Sequence, residues 1–598
     1  MKYLKDAHAS VFAVILEAVA ACGLAEASPI SMNEVFAPVV VGVQPCDAAR
    51  ELCVTADGEI RHYGHHVAGG KVFRVYMASH DNGLNWTTVR ADPKGTGSLV
   101  KVPWRDDLWL GFEDHRSLKC VRSAKGPGDV AAERVLLGDE KMELRQIVFL
   151  SGRRRVVAAF SQTDGKPRLP NGTTCYHATV LYSDDDGKTW MRVRMPTVPN
   201  VERLSPGDRR PHWYNDGCEP TIVELKDATL LMAVRTSGPH VAFSRSRDGG
   251  KTWDAWTTNP AFWQANTMPY FFRLKDGRLL FVWNNTQMLP TRDLAEYPEL
   301  SEGEASGEWE SAFTNRDALH AAISEDDGRT WIGFREVALN AVRASADFRE
   351  LGNDISREWD KSVHQTQALE LPGGKVMLAF GQNVAARRIV VFDPQWLYER
   401  SRSDDFHEGL GNLSTHLYVK SLSGGWRGWS GHCAWNRVPG ALLVRDPDTG
   451  KDTKREVLQL CRIADQRLVS DRQGIVWNFP AARRGRFETE CRIDGAGFRL
   501  ALTDHWINPC DEFNPPRAPV VSPITAKMIG GKAWHKVAVE WDLDRKTARV
   551  VCDGKVIAEP SVADCPAFGL SYVHLQTLAE GTDAQGAYFR SFFMKHAE

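Results

Sequence analysis

No stretch of about 18 or more uncharged apolar residues occurs in the 598-residue chain, which argues against a membrane-spanning helix. Neither sign of charge is in excess. Lys+Arg number 74 against 76 Asp+Glu, for a net charge of −2, so nucleic acid is not expected as the main partner, because that binding rests on a net positive surface. The twelve cysteines form no Cys-x-x-Cys pair and no Cys/His cluster at zinc spacing, so no metal site is expected. Their wide scatter fits mostly buried thiols, with a disulfide or two left open. Gly-rich phosphate loops, Gly-x-Ser-x-Gly elbows and His-Glu-x-x-His helices are all missing, and no cofactor is expected. Tyrosine is scarce: 12 Tyr stand against 20 Trp, and that excess calls for a structural or ligand-binding reason.

What is present fits a globular protein of several domains, with 43% hydrophobic and 25% charged residues. Residues 1–35 read in two ways. The apolar run at 9–22 resembles a short signal h-region, and Val19-Ala20-Ala21-Cys22 a lipoprotein cleavage box. Glu17 inside the run and Asp6 before it suit a capping amphipathic helix instead. Export and retention therefore both stay open.

Internal repetition sets the architecture. One phrase occurs four times: SHDNGLNW at 79–86, SDDDGKTW at 183–190, SRDGGKTW at 246–253 and SEDDGRTW at 324–331. Ser and Asp side chains can hold nearby backbone N–H groups, and Gly supplies a positive φ, so the phrase is a turn. A β-like run precedes each copy and a strand follows it, which predicts a hairpin tip with Trp packing into the core. A calcium loop is not implied, because the liganding Glu at its twelfth position is missing. The spacing predicts a degenerate unit near 100–150 and a last unit around 364–392. About six units of four short strands predict a six-bladed β-propeller at 36–392.

The four phrases resemble the Asp boxes of the sialidase (neuraminidase) superfamily, whose repeat is also called BNR. After the propeller, Asp393 and Pro394 suit a helix start in FDPQWLYERSRSD, so 393–424 is expected to be a helical linker. Residues 425–598 alternate in strand fashion: Val537, Val539 and Trp541 share one face, and Val550 and Cys552 another. This part resembles laminin-G or concanavalin-like β-sandwiches (jelly rolls), with packing favoured over sugar binding. The fold class is thus all-β, a propeller followed by a sandwich.

The resemblance implies three arginines that clamp a substrate carboxylate, which suits a guanidinium fork. Arg235, in CEPTIVELKDATLLMAVRT, matches one of them, with Glu219 sixteen residues earlier as the family's glutamate. Arg316 matches another, eight residues before the box serine Ser324. Arg50 takes the first place without its usual neighbours, and Arg61 is its rival. The resemblance also implies a Tyr nucleophile and an Asp acid/base, a departure from paired carboxylates. Where the Tyr belongs, the chain has Val363-His364-Gln365-Thr366-Gln367; where the Asp belongs, it has Arg61-His62-Tyr63-Gly64-His65-His66. Three readings stay open. Glu219 works with His65, His66 or His364 shuttling a proton; or Tyr214 or Asp216 in WYNDGCEP supplies the missing groups; or the propeller binds an acidic sugar without cleaving it. The leading expectation is an exo-glycosidase acting on a terminal acidic sugar. Glu219, His364 and His66 would be its catalytic residues. Arg50, Arg235, Arg316, His65, Gln365, Trp213, Tyr214 and Asp216 would bind the glycan, with Trp213 stacking on the sugar.

Overall fold

A computed structural model describes residues 37–42, 52–68, 71–113, 117–139, 142–167, 174–199, 217–287, 315–340, 362–381, 387–418, 437–448, 455–463 and 472–598. The segment expected to be a signal or cap, together with Arg50, Trp213, Tyr214 and Asp216, lies outside them. So do the side chains of His65 and His66, whose backbone is described.

Six four-stranded antiparallel sheets follow one another along the chain. Blade one spans Leu52–Val54 to Thr87–Arg90, blade two Val100–Lys101 to Glu133–Gly138 and blade three Met142–Leu150 to Met191–Arg194. Blade four spans Cys218–Glu224 to Thr257–Trp263 and blade five Tyr270–Arg273 to Ile332–Leu339. Blade six takes three strands from Gln367–Glu370, Val376–Phe380 and Arg388–Phe392, and its fourth from Val39–Gly42. The ring is therefore closed by pairing the N-terminal strand with the last blade. The first strands of successive blades are neighbours. Gln146 Oε1 of blade three accepts from Ile222 N at 2.8 Å, and Thr221 Oγ1 of blade four accepts from Phe271 N of blade five at 2.7 Å. At the closure, Leu52 N donates to Gln367 Oε1 at 2.6 Å and Gln367 Nε2 to Leu52 O at 2.9 Å. The degenerate unit expected near 100–150 is blade two.

All four box phrases join the third strand of a blade to the fourth, as the turn chemistry predicts. In each, the Gly N–H donates to the Ser hydroxyl at 2.8–2.9 Å. The Trp Nε1 donates to the Gly carbonyl at 2.9–3.2 Å. The Asp carboxylate collects the Ser hydroxyl and the backbone N–H four residues on. In the first copy Asn85 Nδ2 reaches Asp81 Oδ2 at 2.6 Å, replacing the Thr hydroxyl of the other three. Each box Trp packs against a core between blades. Blade six has no box because its third strand leads out of the propeller.

The helical linker is shorter than expected. Asp393 does cap a helix, accepting from Gln395 N at 2.9 Å, but only one 3-10 turn forms, Pro394–Tyr398. Ser401–Asp404 is already a strand paired with Asp583–His596. Alternating exposure along 401–404 suits a sheet edge better than a helix face. The sandwich thus begins ahead of residue 425.

Its two antiparallel sheets have eight and five strands. Val537, Val539 and Trp541 face the shared core with Trp477, Phe487, Phe589 and Phe592, as the alternation predicted; Val550 and Cys552 face the same core rather than another, because they stand directly opposite Val539 and Val537 in the ladder. Eight cysteines whose side chains are described are free thiols, and all of these but Cys565 are buried. Among the described residues no helix is long and apolar enough to cross a membrane.

The sandwich is seated on blade five. Thr286 and Trp506 form a parallel bridge, with Trp506 N donating to Asn285 O at 2.9 Å and Gln287 N to Trp506 O at 3.0 Å. His320 Nδ1 accepts from Asn285 N at 3.0 Å, while its other nitrogen meets the Tyr572 hydroxyl. Tyr572 donates to Glu336 Oε1 at 2.7 Å. Burial depresses His320 to about 3, and lowers His240 and His574 to about 4. Burial also raises the box carboxyls, but hydrogen bonds from the Thr backbone and the Thr and Ser hydroxyls outweigh it, leaving Asp185 and Asp326 lowered and Asp248 at about 2. Both groups of shifts have folded values below the unfolded ones. In each case the unfolded chain takes up protons first as pH falls, so stability drops with acidification. The histidines begin to act below about pH 6.5, and the box aspartates below about 4. The urea midpoint should fall steadily from pH 7 to 4. A midpoint that holds or rises over that range contradicts the assignment.

Candidate active site

Glu219 opens the first strand of blade four, and Arg235 ends the second. The two strands are joined at Lys226-Asp227-Ala228, with Ala228 at φ 64°. The hairpin brings both residues to one end of the blade, where Cys218 pairs with Arg235. Arg235 Nη1 then meets Glu219 Oε2 at 3.2 Å, and Arg235 Nε donates to Asn266 Oδ1 at 2.7 Å. Asn266 lies between blades four and five and also accepts from Arg316 Nη2 through its carbonyl. Arg316 Nη1 lies 2.9 Å from His364 Nε2. Gln365, next in the chain, donates from Nε2 to Glu219 Oε1 at 2.7 Å. The contacts close a ring from Glu219 through Arg235, Asn266, Arg316, His364 and Gln365 back to Glu219.

A further arginine enters from blade three. Arg145 Nη1 lies 3.3 Å from Glu219 Oε1, and its Nη2 donates to Glu143 Oε2 at 2.6 Å. Its Nε donates to Ser161 Oγ at 3.2 Å, and that hydroxyl accepts from Glu219 N at 2.7 Å. The register slips between Leu144 and Gln146, so Arg145 leaves the regular ladder as a bulge, a common way to re-aim a side chain. The guanidinium and carboxylate groups are almost fully enclosed: side-chain exposure is 6% for Arg145 and Glu219 and 9% for Arg235. Buried charge of this kind survives only when paired and hydrogen-bonded.

Four residues of this neighbourhood hold positive φ without being glycine: Glu219 at 50°, Asn266 at 52°, Asn315 at 56° and Gln365 at 64°. Each costs on the order of 1–3 kcal/mol, and such strain gathers where geometry serves function.

The structure thus brings together Glu219, Arg235, Arg316, His364 and Gln365, all named from the sequence. His65 and His66 sit in the strand Ile60–Ala68, opposite Arg74 and Phe73. Arg61, the rival for the first arginine, is directed elsewhere: Nη1 binds the Tyr63 hydroxyl at 3.1 Å and Pro127 O at 3.3 Å. Arg145, Asn266 and Ser161 escaped the sequence reading. The available signal was a lone Arg inside the apolar run MELRQIVFL.

The geometry limits the roles. Guanidinium only donates, so His364 Nε2 is the acceptor from Arg316 and its proton sits on Nδ1. The nitrogen needed to take up a proton is therefore engaged, and a protonated His364 would face a like charge. Gln365 stands against Glu219 where the resemblance implied a tyrosine, and an amide is not a nucleophile. Among the described residues, His535, Cys552 and Asp553 offer donor atoms within 4.8 Å of one another. They lie on the sandwich, where His535 Nδ1 is bonded to Asp553 Oδ2 at 2.7 Å and Cys552 belongs to the core.

A family profile described as a BNR repeat-like domain matches residues 144–338. No curated protein matches. Similar solved structures include a Trypanosoma rangeli sialidase in complex with sialic acid, at 13% identity and a TM-score of 0.32, covering 94% of this chain and 92% of that one. The same sialidase with the inhibitor DANA gives 14% and 0.33, with 93% of each chain covered. A Dyadobacter fermentans protein of unknown function gives 15% and 0.34, covering 60% of this chain and 97% of that one. The repeat match and the six four-stranded sheets bear out the BNR-repeat propeller drawn from the boxes.

Proposed function

We propose that the propeller binds a terminal carboxylated sugar, sialic acid or a related residue, within this ring and hydrolyses its glycosidic bond. The observation that carries the reading is the convergence of Arg145, Arg235 and Arg316 around Glu219 in a single buried network. Arginine forks suit a ligand carboxylate, and in an enclosed site each such contact is worth more than in water. In this reading Arg235 and Arg316 orient the acid group, with Arg145 as the third guanidinium in place of Arg50. Glu219 is the central catalytic carboxylate and activates water. His364 holds Arg316 rather than shuttling a proton, and Gln365 orients Glu219. His65, His66, Trp213, Tyr214 and Asp216 stay candidates for the sugar-facing wall, and one of the last two for the acid.

One observation favours a second reading, binding without cleavage. Glu219 is already held by Arg235, Arg145 and Gln365, an arrangement that suits a fixed carboxylate keeping the arginines in place as well as it suits a base.

A fluorogenic sialoside and a panel of acidic glycans separate the two. The first reading expects turnover of at least one carboxylated glycoside. Arg235→Ala should weaken binding of that substrate by about 10- to 100-fold, the range for a charged hydrogen bond, and leave its methyl ester little changed. Measurable binding with no turnover across the panel selects the second reading. Equal losses for acid and ester remove Arg235 from the clamp.

A further inference from the structure

Among the described residues, one short segment of the sandwich comes up to the residue that precedes Arg316. Residues 504–508 run alongside 285–287 of blade five. Asn285 Nδ2 donates to Asp504 O at 2.8 Å. His505 stacks on Trp263 at 3.8 Å between ring centroids, and its Nε2 meets Gln287 Oε1 at 3.0 Å. At the end of the segment, Asn508 Nδ2 donates to Asn315 Oδ1 at 2.9 Å. Asn315 in turn donates from Nδ2 to Gln287 O at 2.7 Å. The residue just before Arg316 is therefore gripped from both sides, by the blade and by the sandwich, while holding φ 56°.

From this we infer that Asn508 is a positioning residue for the carboxylate clamp: the sandwich, through Asn508 and Asn315, sets the direction in which Arg316 leaves the backbone. The inference rests on the reading of Arg316 as a carboxylate ligand. The local chemistry fits such a task. Asn508 is fully buried, and its own geometry is set within the sandwich. Its Oδ1 accepts from Cys510 N at 3.1 Å, and its carbonyl meets His574 Nε2 at 3.1 Å. A left-handed Asn is strained unless its surroundings hold it, and here two side-chain hydrogen bonds do so. Arg316 Nη1 must stay within 2.9 Å of His364, and a small turn at 315 is multiplied along the long arginine side chain. A propeller lacking this contact would keep its arginine and lose its aim.

The test uses the full chain and two probe pairs, N-acetylneuraminic acid with its methyl ester and glucuronic acid with its methyl ester. The quantity read is the ratio of acid affinity to ester affinity. Asn508→Ala should lower that ratio about tenfold, the upper range for one lost hydrogen bond. Asn508→Ser keeps an acceptor for Cys510 N but cannot span to Asn315, and it should lower the ratio equally. Asn478→Ala serves as the structural control. It breaks another junction contact, the donation from Asn478 Nδ2 to Phe334 O at 3.0 Å, and should reduce stability with the ratio unchanged. If both Asn508 variants keep the ratio while Arg316→Ala collapses it, the positioning role is wrong and the clamp stands. If Arg316→Ala also leaves it intact, or the unaltered chain prefers no acid over its ester, the clamp reading itself fails. A ratio that falls equally in Asn478→Ala overturns the positioning role in favour of general loosening.

Discussion

Glu219→Gln is expected to reduce turnover of acidic glycans by about a thousandfold or more, within the range for loss of a positioned acid–base group, while the chain still folds. Shape is kept, and one amide oxygen can still accept from an arginine. The amide nitrogen, however, meets either Arg235 Nη1, 3.2 Å from one Glu219 oxygen, or Gln365, 2.7 Å from the other, whose amide can offer its oxygen only by turning away from Arg145 Nη1 at 3.4 Å. That mismatch should cost about 1–3 kcal/mol of stability, as for a buried polar group without its partner. A second effect runs in the opposite direction. With the internal anion neutralised, Arg145 and Arg235 have a stronger demand for an external carboxylate, so N-acetylneuraminic acid should bind the variant more tightly than the unaltered chain. Initial rates, thermal unfolding and calorimetric titration measure the three quantities. An unchanged rate removes Glu219 from the chemistry; weaker binding of the acid shows that Glu219 is not its competitor for the arginines.

The second large effect is structural. Trp506 is fully buried where sandwich and propeller meet, in a cluster with Ala318, Val476 and Tyr572. Its Nε1 donates to Ser414 Oγ at 3.0 Å. Trp506→Ala removes this contact and leaves a cavity at the junction, at a cost of about 3–5 kcal/mol. Because the same residue carries the backbone bridge to Thr286, the damage falls on the seam rather than on either core. Denaturant titration should show one transition for the unaltered chain and two for the variant, the earlier one displaced to lower denaturant. A midpoint within the equivalent of about 1 kcal/mol of the original contradicts a tight seam.

How far the site could be read from sequence varied with the distance over which its parts interact. Glu219 and Arg235 share one hairpin, so their spacing already implies adjacency. Arg316, His364 and Gln365 were legible through the sialidase resemblance, which implies an arginine eight residues before the last box serine and a catalytic position at the start of the last blade. Arg145 was not legible. It touches Glu219 only because blade three stands next to blade four in a closed ring, and because a bulge frees it from the ladder. The assignment of His364 to proton transfer was reasonable for an imidazole near neutrality, but it could not foresee that Arg316 would occupy its basic nitrogen. The linker was read too long for a related reason: Asp393 and Pro394 do start a helix, but the following residues are taken up by a sheet edge that lies nearly 200 residues away in sequence.

The sequence by itself determined the local units. Turn chemistry repeats within eight residues, so the four boxes, the hairpins they join and the packing of their tryptophans follow from short-range hydrogen bonding. Alternation likewise determined which face of the sandwich hairpin is buried. The tryptophan excess resolves largely into such architecture. Tertiary structure alone decided which distant units meet. It joined Val39–Gly42 to blade six, brought Arg145 to Glu219, and set Asn508 against Asn315. These contacts depend on ring closure and on docking of one domain against another, and side chains that meet that way leave no periodic trace along the chain.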